Sequence, residues 1–394
     1  MFNSFIVNVK GITGEIVYKN NHVNNIYEAC TCCYDNTKPI TYEEKKEYIG
    51  KRITAGHESI LEHGRLAIKI SGITDTEQIA ELTTLDYSKW LEFYSVHKEN
   101  DEWVLIVNGN IRSYKHFFTN TTEDDYERNV LIRIIHTILL NNTVGELYGD
   151  TFEMYDDKPE FVEIEAFTDI MENDIDTVLS AHAGIEYDTV TTREVKTPIT
   201  NKPDSKKSVT VGFDKLQILE IDSDPDISFD VAINIIPITV LFTNMSRTAT
   251  HQLVRHRNAI TQESQRYVSA KDASFTIPVQ NYEEDKKYKI SIFGVIKEVS
   301  LTELANELHS VYEQLTNSGM KKEEARGFLP SNTNCNRLYM TFTMASLKAF
   351  FNLRLDPHAQ YEIRQYATEI FKIYDESFPI NTTNTSTTIT EEEV

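Results

Sequence analysis

Thr248 to Ala270 read TATHQLVRHRNAITQESQRYVSA, the most informative stretch of the chain. Arg255, Arg257 and Arg266 fall within it, in a 394-residue sequence whose formal net charge is −22. If the segment is helical, Arg247, His251 and Arg255 lie one turn apart on one face, with Gln252 beside Arg255. Such a face offers guanidinium and amide donors in a fixed fork, which is what a phosphate or pyrophosphate needs. By itself the cluster also fits a solvated basic face or a set of ion-pair partners for the many acids.

The surrounding composition narrows the choice. Hydrophobic residues make up 40% and charged residues 25%, ordinary for a globular protein with a core of useful size. So acidic a chain repels duplex nucleic acid and anionic membranes, so neither is an expected partner. A phosphate site must then be a local arginine cluster. Cys30, Cys32 and Cys33 crowd together and Cys335 stands apart, a poor disulfide or zinc framework, so reduced packing thiols are expected in a cytoplasmic protein. The first residues, MFNSFIVNVKGITGEIVY, alternate like a strand rather than a signal peptide. No apolar run is long enough to suggest a membrane span.

Away from the arginine block, the sequence predicts helices over 42–55, 75–98 and 125–140, and one capped by Asn110 that runs through Tyr114 and Phe118. Further helices are expected from Ser246 to Arg257, over 300–318 with Leu301, Leu304, Leu308, Val311 and Leu315 on one face, and over 340–354. Asp356 and Pro357 look like the cap and first residue of a last helix reaching Tyr374. Strands are expected at Leu66–Ile70, Trp103–Val107 and Ile227–Phe242. The Thr-, Lys-, Pro- and Ser-rich stretch near 190–209 reads as a surface loop or linker, and 381–394 as a disordered tail. No internal repeat is evident.

RHRNAITQESQRY (255–267) resembles the signature of the flavin-dependent thymidylate synthases, the thymidylate synthase complementing protein family. GHESILEH (56–63) is similar to that family's histidine block, and EEARGFLP (323–330) and FFNLRLDPHAQYEIR (350–364) to its two later blocks, all in order. The resemblance implies an α+β fold with a central, mostly antiparallel sheet flanked by helices. It places the family core in 1–73 and 228–376, and makes 74–227 a peripheral, mostly helical insertion. It implies reductive methylation of dUMP to dTMP, with 5,10-methylenetetrahydrofolate as carbon donor, FAD reduced by NADPH or NADH, and a homotetramer with shared sites. Neither nucleic acid nor membrane is implied.

By the same resemblance Gln252, Arg255, Ser264, Gln265, Arg266 and Arg326 belong to a dUMP site, with Arg266 and Arg326 on the phosphate. Arg354 is the activating residue, set against the pyrimidine where negative charge develops. His57, Ser59, Glu62, Arg255, His256, Arg257 and His358 fall at cofactor positions. Ser264 and Cys335 lack the neighbours of a nucleophile. His57 and His63 are six apart, on nearly opposite helical faces, so no metal is expected; His63 reads equally as a core histidine.

Three features depart from the family. Six residues, Asn258 to Glu263, stand between Arg257 and Ser264 where seven are usual, with the gap placed just after Arg257. Ala349 replaces a polar flavin contact found in some members, and the long segment 74–227 intervenes. They leave room for a nucleotide- and flavin-binding module without catalysis, or for a related flavin-dependent pyrimidine methylase.

Overall fold

Ile6–Val9 (β1) and Ile12–Lys19 (β2) form a hairpin whose turn, Lys10-Gly11, has positive φ at both residues. That geometry suits glycine and makes a tight two-residue connection. The structure is a computed structural model describing residues 6–19, 22–34, 41–141, 147, 163–165, 189–197, 199–200, 206–214, 218, 221, 223–277 and 279–378. The tail expected at 381–394 lies outside them.

The chain continues through α1 (His22–Tyr34), α2 (Tyr42–Thr54), a 3-10 turn (Glu58–His63), β3 (Arg65–Ile73), α3 (Thr76–Thr84), β4 (Glu92–His97) and β5 (Trp103–Asn110). Then come α4 (Ile111–Asn120), α5 (Glu123–Arg128), α6 (Val130–Leu140), β6 (Glu163–Glu165), β7 (Thr189–Glu194), β8 (Ile199–Thr200) and β9 (Ser208–Phe213). The C-terminal half holds α7 (Phe229–Ile235), β10 (Pro237–Ser246), α8 (Arg247–Leu253), β11 (Ala259–Gln262), β12 (Phe275–Thr276), β13 (Tyr288–Ile292) and β14 (Val295–Val299). It ends with α9 (Leu301–Asn317), α10 (Lys322–Ala325), β15 (Asn334–Thr343), α11 (Met344–Arg354) and α12 (Tyr361–Ser377).

The α+β class and the antiparallel pairing are as expected, but two large sheets stand in place of one. The first runs β4-β5-β3-β2-β1-β6 and the second β11-β15-β10-β9-β7. Alternation along the strands divides the cores. Leu66, Ile68, Ile70, Leu105 and Val107 pack under α1, α4 and α6, while Ala67, Val104 and Ile106 join the core of the second sheet. The two sheets thus share a buried layer. Segment 74–227 is not peripheral, because β4 and β5 extend the first sheet beside β3 and β9 and β7 extend the second beside β10.

Several local expectations give way to tertiary context. The helix expected over 75–98 stops at Thr84, and EFYSVH forms the edge strand β4 instead. The stretch near 190–209 supplies parts of β7 and β9 where a linker is expected, and Lys207 within it is buried. Phe229–Ile235 is helical, so the strand begins only at Pro237. Residues 340–343 end a strand, with Thr343 capping the following helix. The 125–140 helix is broken at Asn129, whose side chain caps α6. The last helix starts at Tyr361 with Gln360 as its cap, not at Asp356-Pro357. On α9 the buried side chains are Ala305, His309 and Tyr312, leaving Leu308 and Val311 exposed. Asn110 caps α4, as read from the sequence.

His63 settles as a core histidine. It is buried between Thr341 Oγ1 and Thr261 Oγ1, both at 3.0 Å, and burial pushes its pKa down to about 3. It therefore joins the turn before β3 to strands β15 and β11 of the second sheet. The four cysteines are unpaired, and burial pushes Cys335 up to about 11. Among the described residues no helix is long and apolar enough to cross a membrane, and no cluster of His, Cys, Asp or Glu could hold a metal.

Candidate active site

A buried carboxylate fixes the helix that carries the arginine block. Ser246 caps α8, its Oγ accepting from Ala249 N at 3.2 Å. Glu362, on α12, accepts from Ser246 N at 2.8 Å and from the Ser246 hydroxyl. It also takes Lys207 Nζ at 2.6 Å and Thr276 Oγ1 at 3.3 Å. Lys207 and Glu362 are both fully buried in side chain. A buried charge persists only when paired and hydrogen-bonded, and here each partner satisfies the other. Burial pulls the Lys207 pKa down, opposed by the Glu362 charge.

From this anchored start α8 presents successive residues to different neighbours. Arg247 and His251 line a cleft of about 460 Å³, together with Gln262, Ser264, Gln265 and Arg326. Arg247 Nη2 donates to Glu263 O at 2.8 Å, tying the helix to the loop before Ser264. In that loop Ser264 accepts the amides of Tyr267 and Val268 at its carbonyl, and its Oγ accepts Arg266 N at 3.3 Å. The turn so made exposes Arg266, which pairs with Glu323 at 3.7 Å. Arg326 donates to the carbonyl of the same Glu323 at 3.2 Å. Ser264, Gln265, Arg266 and Arg326 are therefore brought together.

Gln252 and His256 face another way, toward Arg354 at the end of α11. Arg354 Nε donates to His256 Nε2 at 3.0 Å, Nη1 to Gln252 Oε1 at 3.2 Å and Nη2 to Gln252 O at 3.3 Å. His256 must be neutral to accept there, and burial together with the Arg354 charge lowers its pKa. Burial and the nearby Arg255 charge lower that of Arg354, whose guanidinium stays protonated at neutral pH. Three of its donors hold it in place, and its planar fork is oriented before any ligand arrives.

Arg257 ends the 3-10 turn in left-handed backbone, φ 53°, at the point where the shortened spacing to Ser264 was located. Its side chain reaches a second cleft, of about 610 Å³, lined by Glu58, Glu62, Asn110, Arg112, Lys115 and Trp90 among others. There Arg112 pairs with Glu62 at 2.5 Å and Lys115 with Glu58. Gly64 lets the turn lie against α4, since a Cβ on it would meet Ile111 Cγ1 at 2.6 Å. His57 and Ser59 belong to this turn and its start. His358 is exposed and bonded to Asp356 at 2.9 Å, away from the lining of both clefts. Sequence reasoning did not assign a role to Trp90, Arg112 or Lys115, and no spacing pattern points to them.

Known proteins match part of the chain. Residues 231–380 match the family model described as thymidylate synthase complementing protein. A flavin-dependent thymidylate synthase of Thermosipho melanesiensis is 37% identical over 136 residues, covering 32% of this chain and 58% of that protein. Those of Thermotoga neapolitana (38% over 129 residues) and Pyrococcus furiosus (36% over 132 residues) each cover 32% of this chain, and 57% and 50% of their own lengths. The chain thus spans little more than half the length of the curated relatives it matches. Within it, residues 231–380, which hold both the arginine block and Arg354, carry the pattern of the thymidylate synthase complementing protein family.

Proposed function

We propose that this chain is a flavin-dependent thymidylate synthase, converting dUMP to dTMP with 5,10-methylenetetrahydrofolate as carbon donor and NADPH or NADH as reductant. The observation that carries the reading is the meeting of Arg354 with Gln252 and His256, 102 and 98 residues apart in sequence. Blocks that resemble separate family motifs thereby form one constellation. A pyrimidine activated at C5 accumulates negative charge on its ring, and a preoriented guanidinium stabilises that charge as it forms. Arg326 and Arg266 hold the nucleotide phosphate, and Ser264 and Gln265 donate to the nucleotide in the first cleft. No covalent bond from the protein to the pyrimidine is needed, and Cys335, buried with a raised pKa, is unsuited to one.

The second cleft suits FAD, because it offers the Arg257 cation at the edge of a concavity of sufficient size in an otherwise acidic chain. When bound, FAD supplies the hydride chemistry that no side chain performs. Arg257 and Glu62 hold and orient it, with Ser59 and His57 on the adjoining turn, Arg255 and His256 on the neighbouring segment, and His358 as a further contact. A homotetramer in the cytoplasm completes the proposal.

The purified protein is expected to be yellow, or to become so with FAD, and to oxidise NADPH faster when dUMP is added. The check is the visible spectrum after gel filtration, followed by the rate of NADPH loss. A protein that stays colourless in excess FAD contradicts the flavin assignment.

A further inference from the structure

The two sheets are built alike. The order β4-β5-β3-β2-β1 in the first corresponds strand for strand to β11-β15-β10-β9-β7 in the second, and the strands follow one another along the chain in the same sequence. The register agrees as well. The last residue of the fifth strand pairs with the first of the third, Asn110 with Arg65 and Thr343 with Pro237. The fourth strand begins opposite the residue two positions earlier, Glu92 against Asn108 and Ala259 against Thr341. Asn110 and Thr343 then each cap a helix through the amide three residues on, Ser113 and Ser346. Those helices read IRSYKHFF (111–118) and MASLKAFF (344–351), with Ser, Lys and both Phe in the same places.

We infer that the chain is a duplication of one five-stranded unit, and that the second cleft is a composite site between the copies for an aromatic anion of the nucleotide class. Trp90 is its stacking face, and Arg112 and Arg257 are its phosphate donors.

The duplication itself locates the site. Trp90 stands two residues before β4 and Arg257 two before β11, so they are equivalent positions, and both line this one cleft. The first copy has no arginine between α3 and β4, where the second carries its block, and has Thr121 where the second has Arg354. What the first copy brings to the cleft is the 58–63 turn and the start of α4. Trp90 is 61% exposed although it lines a concavity. An exposed indole beside cations is how proteins hold a base or flavin ring while the cations take its phosphates. Three cations, Arg112, Lys115 and Arg257, outnumber the two carboxylates Glu58 and Glu62 in a chain of net charge −22. Arg257 forms no ion pair among the described residues. The inference rests on the flavin reading for the identity of the natural ligand, but not for the existence of the site.

The test uses the full chain. It has two tryptophans, so Trp103→Phe leaves Trp90 as the sole indole reporter. ADP is expected to quench Trp90 emission saturably, and inorganic phosphate alone to leave it unchanged. Arg112→Gln and Arg257→Gln, at exposed positions, are each expected to weaken ADP binding about tenfold, as is Trp90→Phe when binding is followed by calorimetry. Emission that ignores millimolar ADP, in protein with wild-type circular dichroism, overturns the inference. FAD is followed separately by flavin absorbance retained on gel filtration. FAD retained equally by wild type, Arg112→Gln and Trp90→Phe overturns the composite site and leaves the proposed function standing. ADP quenching in a protein that never retains FAD supports the site and counts against the flavin reading alone.

Discussion

Arg354→Ala is expected to lower turnover at saturating dUMP by about a hundredfold or more while changing dUMP affinity only a few-fold. The asymmetry follows from when charge appears. The phosphate of dUMP is dianionic before, during and after the reaction, so on the proposed reading Arg266 and Arg326 would act on ground and transition states alike. Removing Arg266 should therefore appear mainly as weaker binding. The pyrimidine ring gains charge only as C5 is activated, so a guanidinium placed there acts on the rate. The structure gives Arg354 the needed rigidity through its bonds to His256 and to Gln252. Arg354→Lys should rescue only partly, because an ammonium cannot hold His256 and Gln252 together in one plane. Affinity and single-turnover rate, measured for Arg354→Ala beside Arg266→Ala, decide the matter. Near-normal turnover in Arg354→Ala would make its contacts structural only.

Glu362→Gln should cost about 3–5 kcal/mol of stability, the typical effect of stranding one member of a buried pair. The loss has two parts. Lys207 keeps no counter-charge in a fully buried site, where burial already pulls its pKa down. The amide also cannot take donors from Lys207, Thr276 and Ser246 on both its atoms, so the start of α8 loosens. Combining Glu362→Gln with Lys207→Met should cost less than the sum of the single changes, because the pair shares one penalty. Denaturant unfolding of the four proteins measures it. An unfolding midpoint for Glu362→Gln equal to that of the wild type would show the network to be dispensable.

What the sequence revealed and what it hid follow from locality. The cap at Asn110 is legible because a cap is a contact across a few residues. The arginine block is legible because its chemistry is concentrated in one segment. Lys207 looked like a linker lysine because its partner lies 155 residues away, and no local pattern marks a buried lysine. EFYSVH reads poorly as a strand because β4 is an edge strand with both faces partly exposed. FDVAINI is an apolar run too short for periodicity to separate helix from strand.

The duplication leaves little trace in the sequence for a related reason. Its evidence is backbone register, which side-chain identity records at only a few positions. Trp90 and Arg112 became candidates only once the fold brought the first sheet's connections against Arg257. The split of predicted residues between two clefts was equally invisible, because neighbours such as His251 and Gln252 point to different partners from one helix.

The central claim is tested most directly by incubating the purified chain with dUMP, 5,10-methylenetetrahydrofolate, NADPH and FAD and separating the nucleotides. The account predicts dTMP formed over many turnovers, dependent on added or bound flavin and on NADPH, and nearly abolished in Arg354→Ala. Absence of dTMP in protein that binds both FAD and dUMP would contradict it.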